Sequence, residues 1–355
     1  MAKNRIVEIV RRFAANGMKL LLEDPGNVRD LFTLTDVGVL ERVDFKQMKP
    51  AGTSFVARDY RHVEADVVLT APLRRKNRTS KTQVTIYILI EHQSEPDELM
   101  PLRVLEYVVQ IFKAQVRQWS RTHASLAGLR LQPVLPLVLY TGTQRWDSIG
   151  SLADLIEEVE DFASVTPALR PLYVNVGTLD PAELKSRGGC FGQILRLQRQ
   201  RHAALADFQA LLQDVTERLE QLGEGEPIRR QELLSYLHAF LYHERAEAER
   251  PGLFEVVETS ARIATHKQEI VTMQRTIAEA VKDEGLQEGL KKGLKQGELR
   301  GKREVLLQFL RHRFHKLPRG VETAVKKATE VQQVEQWLER FLDAKTLDDI
   351  GIVPP

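Results

Sequence analysis

The stretch Val84–Ser94, VTIYILIEHQS, constrains this chain more than any other part of it. Seven apolar or β-branched residues run directly into Glu91-His92-Gln93. An unbroken run of this length, rich in Val, Ile, Thr and Tyr, reads as a strand buried on both faces. Ending such a strand in a carboxylate costs free energy unless the charge finds a partner. Alternation along a strand puts Glu91 and Gln93 on one face and His92 on the other. Upstream, Glu64-Ala65-Asp66-Val67-Val68-Leu69-Thr70 reads as a second strand, with Asp66 in its apolar part and Glu64 as a weaker acid on the same face. Two adjacent strands that each bring a carboxylate to one sheet edge form a candidate divalent-metal site.

At 355 residues the chain can bury a large core and hold one large domain with appendages, or two domains. Its 43% hydrophobic and 28% charged residues are those of a globular protein. No apolar run approaches the roughly 20 residues that span a bilayer, and MAKNRIVEIVRRF lacks the apolar region of a signal peptide. The single cysteine, Cys190, excludes an intramolecular disulfide and a Cys-cluster zinc site. The expected location is therefore cytoplasmic, without membrane contact.

The net charge of +2 argues neither for nor against a nucleic-acid partner. Local charge is more informative: Arg74, Arg75, Lys76, Arg78 and Lys81 lie between the two acid-bearing strands, where a hairpin connection is expected. Such a loop reads either as a phosphate-contacting element or as a solvated turn. Its expected place beside the metal site tips the reading toward the first.

Helical spacing covers Arg5–Leu22 and Val28–Phe32, separated by Glu23-Asp24-Pro25-Gly26-Asn27. Ser54–Val56 reads as a short strand. The helix from about Pro101 to Ser120 carries an apolar stripe of Leu105, Val108, Val109, Phe112 and Val116, with Arg103, Tyr107 and Gln110 on another face. Val134–Tyr140 and Leu172–Val176 read as further strands, Pro136 counting against a mid-sheet position. Beyond Pro181 the pattern is helical: Phe191–Leu212, Val215–Leu222, Pro227–Tyr242, Thr259–Val281, Leu306–Phe314 and Val331–Leu342.

Gly285, Gly289, Gly293, Gly297 and Gly301 recur at every fourth position. Each costs a helix about 1 kcal/mol against alanine, so five cost about 5. The segment reads either as a helix packed closely on a partner, with a second copy of the chain the simplest candidate, or as a flexible polar connector.

The segments Ser54–Leu69 (SFVARDYRHVEADVVL), Ile86–Ile111 (IYILIEHQSEPDELMPLRVLEYVVQI) and Leu135–Trp146 (LPLVLYTGTQRW), with the glycine-bearing tail Glu284–Gly301, resemble the PD-(D/E)XK nuclease superfamily. Within it, the chain is similar to the Rpn family of recombination-promoting nucleases, also called YhgA-like transposases. The resemblance implies an α/β fold with a restriction-endonuclease-like αβββαβ core and a mainly α-helical C-terminal region. The expected divisions are 1–180 for the nuclease-like domain, 181–282 for a helical region, 283–301 for the glycine repeat and 302–355 for a small helical module. The resemblance also implies a metal-dependent endonuclease that cleaves DNA and promotes recombination.

On that reading Asp66, Glu91 and the backbone carbonyl of His92 are the expected ligands of Mg²⁺, an ion that prefers oxygen donors and keeps several waters. The metal would activate a water and stabilise the leaving oxygen. Asp66, Glu91 and Gln93 form the expected catalytic set. The usual superfamily motif has lysine where Gln93 stands; an amide can hydrogen-bond a water but brings no charge. Arg74, Arg75, Lys76, Arg78 and Arg103 are the expected DNA contacts, although Arg103 and Tyr107 serve equally well as an ion pair and core lining. The imidazole of His92 is expected to be structural. The alternative function is a catalytically weak DNA-binding or assembly protein that keeps the nuclease fold. A DD-E strand-transfer enzyme has less support, because no third distant acid stands out.

Overall fold

The computed structural model describes residues 9, 13–52, 54–56, 62–64, 66–74, 84–157, 162–223 and 225–352, with the backbone alone at 14–16, 39, 54–56, 62–64, 284 and 288. The strands are β1 (Lys49–Pro50), β2 (Ser54–Val56), β3 (His62–Glu64), β4 (Val67–Leu73), β5 (Val84–Gln93), β6 (Val134–Tyr140) and β7 (Leu172–Asn175). Helices α1 (Phe13–Leu21) and α2 (Pro25–Phe32) precede them, and α3 (Met100–Thr122) joins β5 to β6. The protein is thus α/β, with one mixed sheet in the order β1-β4-β5-β6-β7. β4 runs antiparallel to both of its neighbours, β1 and β5, while β5, β6 and β7 run parallel.

β5 is buried on both faces, as its unbroken apolar run requires. Ile86, Ile88 and Ile90 are buried on one side. On the other, Leu89 packs with Val68, Val138 and the α3 residues Met100, Val104, Val108 and Ile111. The buried stripe of α3 differs from the expected one: Val109 is exposed, whereas Tyr107 and Gln110 are buried. Pro101 lies in the first turn of α3, where its missing N–H has no helical partner to lose. Pro136 is tolerated inside β6 because β7 pairs only from Leu137 onward, so the proline has one ladder neighbour.

The expected strand 64–70 is two strands. β3 pairs with β2 in a separate two-stranded sheet, while β4 joins the main one, and Asp66 occupies the bend between them. The strand 54–56 accordingly lies outside the main sheet. Its expected place is taken by β1, a two-residue edge strand whose Pro50 suits an edge.

After β7 come α4 (Pro181–Ser186), α5 (Gly189–Arg199), α6 (Leu205–Glu220), α7 (Pro227–Glu244) and α8 (Arg250–Thr259). The expected helix 191–212 is therefore interrupted, and 215–222 largely continues α6. The chain divides into compact units at Met1–Ala278 and Glu279–Pro355, so the sheet and helices α4–α8 fall in one unit. A buried polar network explains the continuity. Arg229 of α7 donates from Nε to Asn27 Oδ1 of α2 at 2.9 Å and forms an ion pair with Asp30. Asp30 in turn accepts from the Phe191 N–H of α5 at 3.2 Å. Gly189 has φ of +56°, and a Cβ there would collide with the Asp30 carboxylate, so this junction requires glycine.

Helix α9 (Ala264–Phe314) runs without interruption through the glycine repeat. The second unit contains its C-terminal part, α10 (Arg319–Lys327) and α11 (Val331–Asp343), packed around Leu306, Leu310, Val325, Val334, Trp337 and Ile350. The five repeat glycines face open space: a Cβ at any of them would meet nothing within 4 Å. Their neighbours Leu286, Leu290 and Leu294 are 73%, 64% and 67% exposed.

Candidate active site

β4 and β5 pair with Val67 opposite Ile90, so the next position outward sets Asp66 against Glu91. Antiparallel neighbours directly opposite share a face, and the two acids meet at this end of the sheet on the α3 side. Glu91 is 1% exposed. Its Oε1 accepts from the Asp66 backbone N–H at 3.0 Å, and Asp66 Oδ2 accepts from the His92 N–H at 2.8 Å. The chain turns away at Asp66, which frees that N–H from the sheet ladder and leaves it for Glu91.

Cations approach from two helices. Arg103 of α3 lies 3.6 Å from Glu91 Oε2, holds Asp97 at 2.5 Å and donates to the Tyr107 hydroxyl at 3.2 Å. Lys19 of α1 lies 3.8 Å from Asp66 Oδ1. Burial, then the neighbouring Asp66 charge, pushes the Glu91 carboxyl up to about 8. The Asp66 N–H, Arg103 and Lys19 oppose that shift without cancelling it. Burial and the Glu91 charge also raise Tyr107.

His92 faces away from the acid pair. Its Nε2 lies 2.8 Å from Thr141 Oγ1 on the adjoining strand end, and burial lowers its imidazole to about 4. The imidazole is therefore neutral, and the acid pair meets the His92 backbone instead. Gln93 shares the Glu91 face, and its amide has no hydrogen bond among the described residues.

The structure brings Asp66, Glu91, the His92 backbone and Arg103 together. Arg74 is placed elsewhere, which corrects the expectation that this residue flanks the acids. It follows Leu73 at the other end of β4, about 27 Å from Asp66 at the rise of an antiparallel strand. There its backbone N–H donates to Arg42 O at 2.8 Å. Arg75, Lys76 and Arg78 lie outside the described residues. Lys19, Asp97 and Thr141 were not among the expected site residues, and no local motif marks them.

Among the described residues no group of three or more His, Cys, Asp or Glu side chains is arranged to hold a metal. The Asp66–Glu91 pair nevertheless suits Mg²⁺, which takes one or two carboxylates and keeps its remaining waters. The high affinity of buried Glu91 for a proton marks a place short of positive charge.

Fold and site together define an α/β protein with an acid pair at the end of a mixed sheet and flanking cations from two helices. The chain belongs to the family described as "Putative transposase, YhgA-like", whose model matches residues 16–228, a span that includes the whole sheet and the acid pair. Among curated proteins it is similar to recombination-promoting nuclease RpnA of Escherichia coli (strain K12), with 27% identity over 127 residues. That match covers 36% of this chain and 39% of the relative's length. No solved structure is significantly similar. No described helix is long and apolar enough to cross a membrane.

Proposed function

We propose that this chain is a Mg²⁺-dependent DNA endonuclease with a restriction-endonuclease-like αβββαβ core, acting in recombination as the name of its relative suggests. The observation that carries the reading is the interlocked Asp66–Glu91 pair. The order α2, β1, β4, β5, α3, β6 supports the core, with three antiparallel strands followed by a helix and a parallel strand.

Asp66, Glu91 and the His92 carbonyl would hold the ion, which when bound supplies Lewis acidity and a water of lowered pKa. Gln93, with an uncommitted amide on the Glu91 face, can orient a water by hydrogen bonding. Arg103 partly offsets the Glu91 charge and keeps 39% of its side chain exposed, where it can meet a phosphate. Arg74 lies at the far end of β4, and Arg75, Lys76 and Arg78 follow it in the sequence. Their role is to hold the DNA backbone at a distance from the reacting bond.

A second reading, a DNA-binding or assembly protein with little turnover, is favoured by one feature: the neutral amide at position 93. Incubating supercoiled plasmid with the purified protein, with and without Mg²⁺, separates the two. Metal-dependent nicking supports the enzyme, and DNA binding without nicking supports the alternative.

The glycine repeat is the proposed self-association element. Its exposed leucines and open glycines offer a surface on which a second helix can pack closely.

A further inference from the structure

Lys19 is the one ammonium among the described residues with an ion-pair contact to the acid pair, and it is the less committed of the two flanking cations. The Arg103 guanidinium hydrogen-bonds Asp97 and Tyr107. The Lys19 Nζ lies 3.8 Å from Asp66 Oδ1, beyond hydrogen-bond distance, and it donates to no described residue. Among the described residues none of its three N–H donors is taken up in a hydrogen bond.

The lysine is also well held. Its neighbours Met18, Leu20 and Leu21 are 3%, 7% and 0% exposed, so the helix around it is anchored in the core. Phe13, at the start of the same helix, stacks at 5.0 Å on His243 and lies 5.0 Å from Tyr236, both on α7. The side chain itself is 23% exposed, enough to meet a ligand at the sheet end. A cation carried by an anchored helix to the place where negative charge grows during a reaction needs little reorganisation when that charge appears.

We propose that Lys19 contacts the scissile phosphate and supplies the positive charge that position 93 does not. The inference rests on the nuclease reading above. A phosphodiester under attack gains negative charge on its non-bridging oxygens, and Gln93 offers only a dipole there. Lys19 reaches the acid pair from the first helix and so provides that charge from another part of the chain.

The test compares the full-length parent with Lys19→Gln, Lys19→Arg and the double variant Lys19→Gln/Gln93→Lys. Two properties are measured: plasmid nicking at saturating Mg²⁺, and the salt dependence of DNA affinity in EDTA. Lys19→Gln should lower nicking by about 100-fold or more, the usual effect of losing one preorganised transition-state donor. It should also reduce the slope of log affinity against log salt by about one phosphate contact. Lys19→Arg should keep the parent slope, and Gln93→Lys should restore part of the lost nicking. A Lys19→Gln variant with the parent slope overturns the proposal, whether or not it nicks. If the parent itself does not nick, the nuclease reading fails, and the slope alone still decides whether Lys19 meets a phosphate.

Discussion

Asp66 and Glu91 are interlocked across the end of the β4–β5 pair. The Glu91 side chain accepts from the Asp66 N–H at 3.0 Å, and the Asp66 side chain accepts from the N–H of the residue after Glu91 at 2.8 Å. Each carboxylate thus fixes the backbone that carries the other. Loss of either side chain would leave a backbone N–H without its acceptor, at roughly 1–3 kcal/mol where that group is buried. Isosteric amides are therefore the informative substitutions, since they can keep the acceptor oxygen and remove the charge.

The raised Glu91 carboxyl has a consequence for stability in EDTA. A carboxyl whose folded pKa exceeds its ordinary 4.5 contributes stability below that value and loses it as pH rises toward about 8. Stability of the metal-free protein should fall by roughly 1 kcal/mol per pH unit across that window. Glu91→Gln should flatten the decline and raise Tm at pH 8. Adding Mg²⁺ at pH 8 should raise Tm of the parent and leave the variant unmoved. Parallel Tm-versus-pH curves for parent and variant would contradict the assigned titration.

The basic connection between β4 and β5 is expected to act on affinity rather than on chemistry. Neutralising Arg75, Lys76 and Arg78 together should weaken DNA binding and flatten its salt dependence, through lost counterion release. The rate at saturating DNA and Mg²⁺ should stay within a few-fold of the parent, because Arg74 marks the far end of the strand pair. An unchanged salt slope would reduce the loop to a solvated turn.

Truncation before Asp283 should lower the mass measured by light scattering and leave nicking in place. The offset for five glycines, about 5 kcal/mol of helix propensity, is not found among the described residues, since a Cβ at each glycine would meet open space there. Packing against a second copy would provide it. A full-length protein that is monomeric at micromolar concentration would refute this.

Much of the sheet is legible in local sequence. The unbroken apolar run of β5, the strand at 134–140 and the helix between them follow from period and composition, as does the shared face of Glu91 and Gln93. The break at residues 65–66 is not legible, because Val67-Val68-Leu69 reads the same whether or not the acid before it belongs to the strand. The turn there is imposed by the separate pairing of β2 with β3. The buried side of α3 is only partly legible, because the Tyr107 ring suits a core while its hydroxyl suits a surface. Lys19 could not be found from local pattern: it lies on the first helix, and only tertiary packing carries it to Asp66. The place of the basic connection was open to inference. In an antiparallel pair, a strand leaving the acids and a strand returning to them must be joined at the other end.

The most direct test of the acid pair is nicking of supercoiled plasmid by the parent, Asp66→Asn and Glu91→Gln at equal concentration, with Mg²⁺ and with EDTA. The parent should nick only with Mg²⁺, and each variant should fall by at least about 100-fold, as expected when a group acting in the transition state is lost. Tm of each variant at neutral pH should equal or exceed that of the parent. Parent-level, Mg²⁺-dependent nicking by either folded variant would show that the Asp66–Glu91 pair is not the catalytic metal site.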